Sequence, residues 1–222
     1  MNINQSSAML ERVERRSTPR GDIQLQKRGA NYEIISNGTF LMATYNGASE
    51  RLLVQAALAA CDKPAQVLIG GLGVGFSLAA ALKEEQVEQV TVVEIEEAII
   101  SWNRTYLAEF NNQAMEDSRT VIIHADLIDW LSEGDHRYDA ICLDIDNGPD
   151  WKVYEANQAL YDQVGLKMLK DKLTPGGVLS FWSASSAPDF ASLLKDFFPS
   201  VQELSVEQQR GEPDYIYLAK NG

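Results

Sequence analysis

Two cysteines and two histidines are all that the 222 residues hold. Cys61 and Cys142 stand far apart in apolar surroundings. That excludes a disulfide framework and predicts buried free thiols in a reducing compartment. His124 and His136 are too few for a zinc site, which needs about three or four protein ligands at close spacing. No metal is expected. Basic residues are also scarce: 19 Lys and Arg stand against 32 Asp and Glu, for a net charge of −13. Binding phosphate backbones needs a basic footprint, so no nucleic acid partner is expected. The acidic surface either attracts cationic ligands such as amines or serves solubility alone. Long apolar runs are missing, so no membrane span is expected. Residues 1–20 are polar and mixed in charge, without the apolar centre of a signal peptide, and the expected location is cytoplasmic. Internal repeats and low-complexity segments are absent as well.

What is present is ordinary in bulk, 45% hydrophobic and 23% charged, and long enough for one α/β domain with a full core. Residues 1–21 read as a flexible N-terminal arm. Residues 22–61 read as a small β-hairpin unit plus a helix. Short β-like runs at 23–26, 32–35 and 39–42 are punctuated by Ser36-Asn37-Gly38, a strong hairpin signal, and helical spacing runs to Ala60. Residues 62–222 alternate strands (66–70, 89–95, 119–125, 138–144, 177–183) with helices (76–85, 97–110, 160–173 and one around 190–198). Such alternation predicts a mostly parallel sheet covered on both faces. The last two runs, 201–206 and 215–219, are joined by a turn with Gly211 and Pro213 and suit an antiparallel hairpin.

The most informative stretch is Val67-Leu68-Ile69-Gly70-Gly71-Leu72-Gly73-Val74-Gly75, followed by Val92-Val93-Glu94. A strand, a glycine turn, a helix and a second strand ending in an acid form the layout that holds an adenosine-containing ligand. Gly70, Gly71, Gly73 and Gly75 let the backbone pass beside the ligand. Glu94 accepts from ribose hydroxyls. Ile95 packs on the adenine face or is core. Asp126, with the Leu127 amide nearby, accepts from the adenine amino group, caps the helix that follows, or does both. Acids at the ends of successive strands (Glu94, Asp126, Asp144, Asp146) suit a ligand that also carries positive charge, and a nicotinamide cofactor's two phosphates would sit badly there. The expected cofactor is S-adenosylmethionine or its decarboxylated form.

These residues resemble the spermidine synthase family, including its small bacterial relatives, within the class I methyltransferase fold. The likeness covers roughly residues 30–219. It is carried by Asn37-Gly38-Thr39-Phe40, Ser49-Glu50, the glycine turn, Val93-Glu94-Ile95, Ala125-Asp126, Tyr138 to Asp144, Leu160-Tyr161 and Pro175-Gly176-Gly177-Val178-Leu179. Asp144-Ile145-Asp146-Asn147-Gly148-Pro149 is similar to the small relatives' Asp-x-Asp-Asn-Gly-Pro segment. The resemblance implies a Rossmann-like fold of seven mostly parallel strands with an antiparallel C-terminal hairpin, preceded by a small β unit. It implies aminopropyl transfer to a small-molecule amine acceptor. Two departures bear on specificity. The family's Tyr-His-Glu reads Ala48-Ser49-Glu50 here, and the second Asp of its Asp-Ser-Ser/Thr-Asp-Pro motif falls on Asn147 or shifts to Asp146.

An amine must be unprotonated to attack, and a carboxylate in reach can take its proton. Asp144 is the candidate base. Asp146 is either a ligand for a cationic group or a turn former. Glu50, Asn147, Trp151, Tyr161 and Trp182 are candidates for the acceptor side, with Trp151, Tyr154 and Tyr161 either a lid or packing anchors. Trp102 and Trp130 are expected in the core. Aminopropyl transfer is the first reading, small-molecule methyl transfer the second, and a catalytically inactive nucleoside-binding protein the third. A homodimer is an admissible assembly.

Overall fold

The computed structural model describes residues 9–145, 147–150, 157–208 and 211–222. Four strands come first: β1 (Leu10–Thr18), β2 (Gly21–Arg28), β3 (Asn31–Ser36) and β4 (Thr39–Ala43). They pair in chain order as an antiparallel sheet. From Leu10 onward the segment read as a flexible arm is therefore an edge strand, paired with β2 from Leu10↔Arg28 to Thr18↔Gly21 with a register shift between Arg12 and Glu14. Its Arg and Glu side chains made it look like a solvated tail, but an edge strand needs few apolar residues and is protected by charge. Two of those charges tie the small sheet to the rest of the molecule. Glu14 accepts from the indole N–H of the fully buried Trp102 at 3.0 Å. Arg20, between β1 and β2, pairs with Glu96 at 2.7 Å and donates to the Ile95 carbonyl at 2.8 Å.

The remaining elements are α1 (Ala48–Ala60), β5 (Gln66–Gly70), α2 (Phe76–Ala81), β6 (Gln89–Glu94), α3 (Glu97–Asn103), β7 (Thr120–His124), α4 (Leu127–Glu133), β8 (Tyr138–Leu143), α5 (Gln158–Tyr161), α6 (Gln163–Asp171), β9 (Leu173–Ser183), α7 (Pro188–Phe197), β10 (Ser200–Val206) and β11 (Asp214–Lys220). The sheet order is β10-β11-β9-β8-β5-β6-β7. Strands β7, β6, β5, β8 and β9 are parallel, and β11 pairs antiparallel with both β9 and β10. The chain moves outward from β5 through β6 to β7, then returns to place β8 on the other side of β5. The C-terminal ends of β5 and β8 thus flank the topological switch point, where such sheets bind ligands.

Side-chain alternation along the strands supplies two cores. Val67, Ile69, Cys142, Val178 and Ile216 face α1, α2 and α3. Leu68, Ile141, Leu179, Phe181 and Tyr217 face α4, α6 and α7. Helix α1, grouped above with the small sheet, packs on α2, β8, β9 and β11 of the large one. Three helices are shorter than the periodicity predicts. α2 ends at Ala81 and α3 at Asn103. The 160–173 pattern is broken at Asp162, whose carboxylate caps α6 by accepting from the Val164 and Gly165 amides. An Asp that satisfies the free amides of a new helix start ends the one before it. Trp130 is half-buried and stacks on His136 rather than lying in the core. No described helix is long and apolar enough to cross a membrane.

Candidate active site

The glycine turn is held by the protein's own packing. Gly71, Gly73 and Gly75 all have positive φ, which glycine adopts without steric penalty. A Cβ on Gly71 would stand 2.2 Å from the Asp144 carbonyl oxygen, and one on Gly73 would stand 2.4 Å from the Met42 sulfur. At Gly70 and Gly75 it would meet Leu127 and Asn103. A side chain at Gly73 would therefore point into Met42. The turn is further pinned from behind. Asn103 donates to the Gly73 carbonyl at 2.8 Å, Asn111 donates to Asn103 at 2.8 Å, and both are fully buried. The Val74 amide points at the Met42 sulfur at 2.9 Å, so strand β4 of the small sheet touches the turn.

Three strand ends carry the polar groups. Glu94 closes β6, is 5% exposed, and accepts from the Leu72 amide on one oxygen and the Glu96 amide on the other, both at 2.8 Å. The carboxylate is thus fixed, and each oxygen keeps lone-pair capacity for a ligand hydroxyl. Burial pushes its pKa up, against those backbone bonds, and the nearby Glu96 adds to the rise. Asp126 follows β7 and is the N-cap of α4, with Oδ1 accepting from Ile128 at 2.8 Å and Asp129 at 3.4 Å. Capping is one of the two roles expected of it. Leu127 is buried in the second core, and Ile95 is half-buried with its carbonyl held by Arg20. Asp144 follows β8, and its amide donates to the Gly70 carbonyl at 2.9 Å.

The other wall is acidic. Glu50, in the first turn of α1, is 6% exposed. Ser49 donates to Asp214 at 2.6 Å and lies 3.1 Å from Glu50. Gln208 also donates to Asp214. Burial, and then the charge of Asp214, push the Glu50 pKa up to about 7. Burial first, then Glu50, Asp214 and Glu94, hold the Asp144 carboxyl well above its usual range. Asp214 is raised by burial too. No ion pair among the described residues engages Glu50, Glu94, Asp144 or Asp214. Arg51 is next to Glu50 in sequence, yet its guanidinium lies 4.0 Å over the Phe76 ring and donates to the Gly47 carbonyl.

Among the other expected site residues, Trp182 ends β9 with its indole N–H buried beside the Asp214 carboxylate, outside hydrogen-bonding geometry. Tyr161 is 4% exposed and packs against Phe181 and Phe190, so it stands in the second core and not in a loop over the crevice. The Asn147 carbonyl accepts from Ala184 at 3.0 Å, tying its loop to the end of β9. Asp146, Trp151 and Tyr154 lie outside the described residues. Sequence reasoning missed Asp214, Met42, Asn103 and Arg20.

A nucleoside that carries a sulfonium suits this set of groups. Carboxylates at the ends of β6, β7 and β8 are acceptors for hydroxyls and an amino group, and the unpaired acids beyond them favour a positive centre. Replacing Glu94 by Ala is expected to weaken nucleoside binding by about 1–3 kcal/mol, the range for hydrogen bonds to a charged group. It also strips the Leu72 and Glu96 amides of their acceptor, so thermal stability falls with it. Calorimetric titration with the thioether nucleoside checks this, and unchanged affinity in a folded variant removes Glu94 from the ribose site.

The spermine/spermidine synthase domain family matches residues 47–189. A polyamine aminopropyltransferase of Saccharolobus islandicus is 32% identical over 170 residues, covering 76% of this chain and 54% of that protein. Polyamine aminopropyltransferase 2 of Pseudomonas aeruginosa is 32% identical over 133 residues, 58% of this chain and 36% of that one. The chain thus spans about half the length, or less, of these curated relatives. Among solved structures, a spermidine synthase in complex with the transition-state analogue AdoDATO superposes with a TM-score of 0.79 at 18% identity, over 96% of this chain and 74% of that one. The spermidine synthase of Thermotoga maritima superposes with a TM-score of 0.79 at 17% identity, over 96% and 73%. These two share the fold.

Proposed function

The chain belongs to the spermine/spermidine synthase family, and from that premise we propose that it transfers an aminopropyl group from decarboxylated S-adenosylmethionine to a small amine. The observation that carries this reading is the convergence of Glu50, Asp144 and Asp214 without an ion-pair partner among the described residues, beside a strand-end carboxylate suited to ribose. Relatives named polyamine aminopropyltransferases support it. The two free cysteines fit a reducing, cytoplasmic setting.

The cofactor supplies a carbon already bonded to a good leaving group, so the protein's work is positioning and electrostatics. Glu94 and Asp126 hold the nucleoside end. Glu50 and Asp214 attract the ammonium of the acceptor. Asp144 takes one proton from that ammonium, which leaves a neutral amine with a free lone pair and a protonated carboxyl. The raised pKa of Asp144 comes from its burial and from the like charges of Glu50, Asp214 and Glu94. A cation seated among these acids lowers it, because each opposite charge favours the ionised form. Occupancy thereby readies the base.

The same charges select the cofactor. The tail of S-adenosylmethionine ends in a carboxylate as well as an ammonium, and a carboxylate pressed toward Glu50, Asp144 and Asp214 is repelled. The decarboxylated form has only the ammonium. Titration calorimetry is expected to give at least about tenfold tighter binding of the decarboxylated form, a gap of roughly 1.4 kcal/mol. Tighter binding of S-adenosylmethionine itself supports methyl transfer instead. That second reading draws on the replacement of the family's Tyr-His by Ala48-Ser49 and on Asn147 in the acceptor loop.

A further inference from the structure

Ser49 is buried at the start of α1, with Oγ 2.6 Å from Asp214 Oδ2 and 3.1 Å from Glu50 Oε2. A hydroxyl has one proton to give. The shorter contact commits it to Asp214, so Ser49 presents only lone pairs to Glu50. Were both carboxylates ionised, Glu50 Oε2 would face an oxygen lone pair in a nearly dry place with no hydrogen between them. One proton on Glu50 removes the conflict. Glu50 then donates to Ser49, and Ser49 donates to Asp214.

We propose that Glu50, Ser49 and Asp214 form a hydrogen-bonded chain that holds a single carboxyl proton, and that Ser49 and Asp214 are thereby positioning residues for the base Asp144. The inference rests on the reading of this crevice as the acceptor site. It joins parts of the fold that are 165 residues apart in sequence. The chain is braced on each side. Ser77 of α2 donates to the Glu50 carbonyl at 3.1 Å, and Gln208 donates to Asp214. Among the described residues, the charged groups that bear on it are Asp144 after β8 and Arg51 of α1. Of these Arg51 alone is positive, and it is engaged by Phe76 and Gly47. Burial with little compensating charge favours the protonated chain, in keeping with a Glu50 pKa of about 7.

The proton sets how strongly Asp144 acts. While the chain holds it, Asp144 faces one negative charge fewer. When it leaves, the like charge beside Asp144 grows, Asp144 becomes a stronger base, and the crevice attracts the acceptor ammonium more strongly. Transfer to a cationic acceptor therefore rises as pH passes through the titration of the chain. Asp214→Asn has a definite sign. It removes a like charge near Glu50 and frees the Ser49 proton to stabilise the Glu50 carboxylate. Both effects move the titration to lower pH, by about one unit.

Infrared titration of the whole protein without substrates reads the proton directly, through the C=O stretch of a protonated carboxyl. The parent is expected to show a band that disappears near neutral pH. Glu50→Gln removes that band, Asp214→Asn moves its loss about one unit lower, and Ser49→Thr, which keeps the hydroxyl, leaves it in place. The rising limb of kcat/KM against pH should move with the band in Asp214→Asn. A parent without a Glu50-dependent band, or an Asp214→Asn band that stays put, overturns the proton chain even if the enzyme transfers aminopropyl groups. A titrating band in a protein that transfers to no amine keeps the shared proton but overturns its role beside Asp144, and the acceptor-site reading with it.

Discussion

Asp144→Asn is expected to lower aminopropyl transfer by roughly 10²–10⁴-fold, the usual contribution of a positioned general base. The substitution keeps the shape of the side chain and the bond from the residue 144 amide to the Gly70 carbonyl. It removes the charge and the capacity to take a proton. Affinity for the thioether nucleoside should change far less, because Glu94 and Asp126 lie at other strand ends. Activity should recover in part at high pH, where more of the acceptor amine is already neutral. Steady-state kinetics across pH, beside calorimetric titration, separate these effects. Full activity removes Asp144 from the chemistry. Equal losses of binding and turnover move it into the cofactor site, next to the sulfonium.

The second large effect belongs to Gly71. Its φ is +88°, and an added Cβ would lie 2.2 Å from the carbonyl oxygen of Asp144. That obstacle is backbone, so it cannot swing aside as a side chain would. Gly71→Ala must displace either the glycine turn or the end of β8 that carries the base. Strain of this kind is worth about 1–3 kcal/mol from the backbone angle alone, before any clash is counted. The variant is expected to melt several degrees lower, to lose most of its nucleoside affinity and to lose transfer. Gly73→Ala is the control. There the new methyl meets the sulfur of Met42, the flexible end of an adaptable side chain, so the loss should be clearly smaller. Thermal unfolding and calorimetry of the two variants give the comparison. Equal effects would mean that contact with the Asp144 backbone does not matter.

Much of this was legible in the residues because the signals are local. Clustered glycines after an apolar run, and single acids closing later runs, put Gly71, Glu94, Asp126 and Asp144 at neighbouring strand ends once the strands alternate with helices. The part of the acidic wall that Asp214 supplies was not legible. Asp214 opens the last strand, and only the antiparallel pairing of β11 with β9, which sets Ile216 opposite Trp182, brings it back to Ser49. Nothing in a run such as Glu212-Pro213-Asp214-Tyr215 signals a partner 165 positions away. Strand β1 was misread because a charged edge strand and a solvated tail have the same composition. Asn103 lay inside, and Asn111 just beyond, a helical pattern read as continuous to residue 110. α3 in fact ends at Asn103, and the two amides turn inward to hold the glycine turn. Buried amides so placed are rigid supports, and their spacing of eight residues has no surface periodicity to betray it.

The most direct measurement of the central claim is product analysis by mass spectrometry. The protein is incubated with decarboxylated S-adenosylmethionine and a panel of diamines, and the amine and nucleoside products are counted together. An amine heavier by one aminopropyl group and the thioether nucleoside are expected in equal amounts, with both lost in Asp144→Asn. A methylated product formed from S-adenosylmethionine, or tight nucleoside binding with no product from any amine, would contradict that claim.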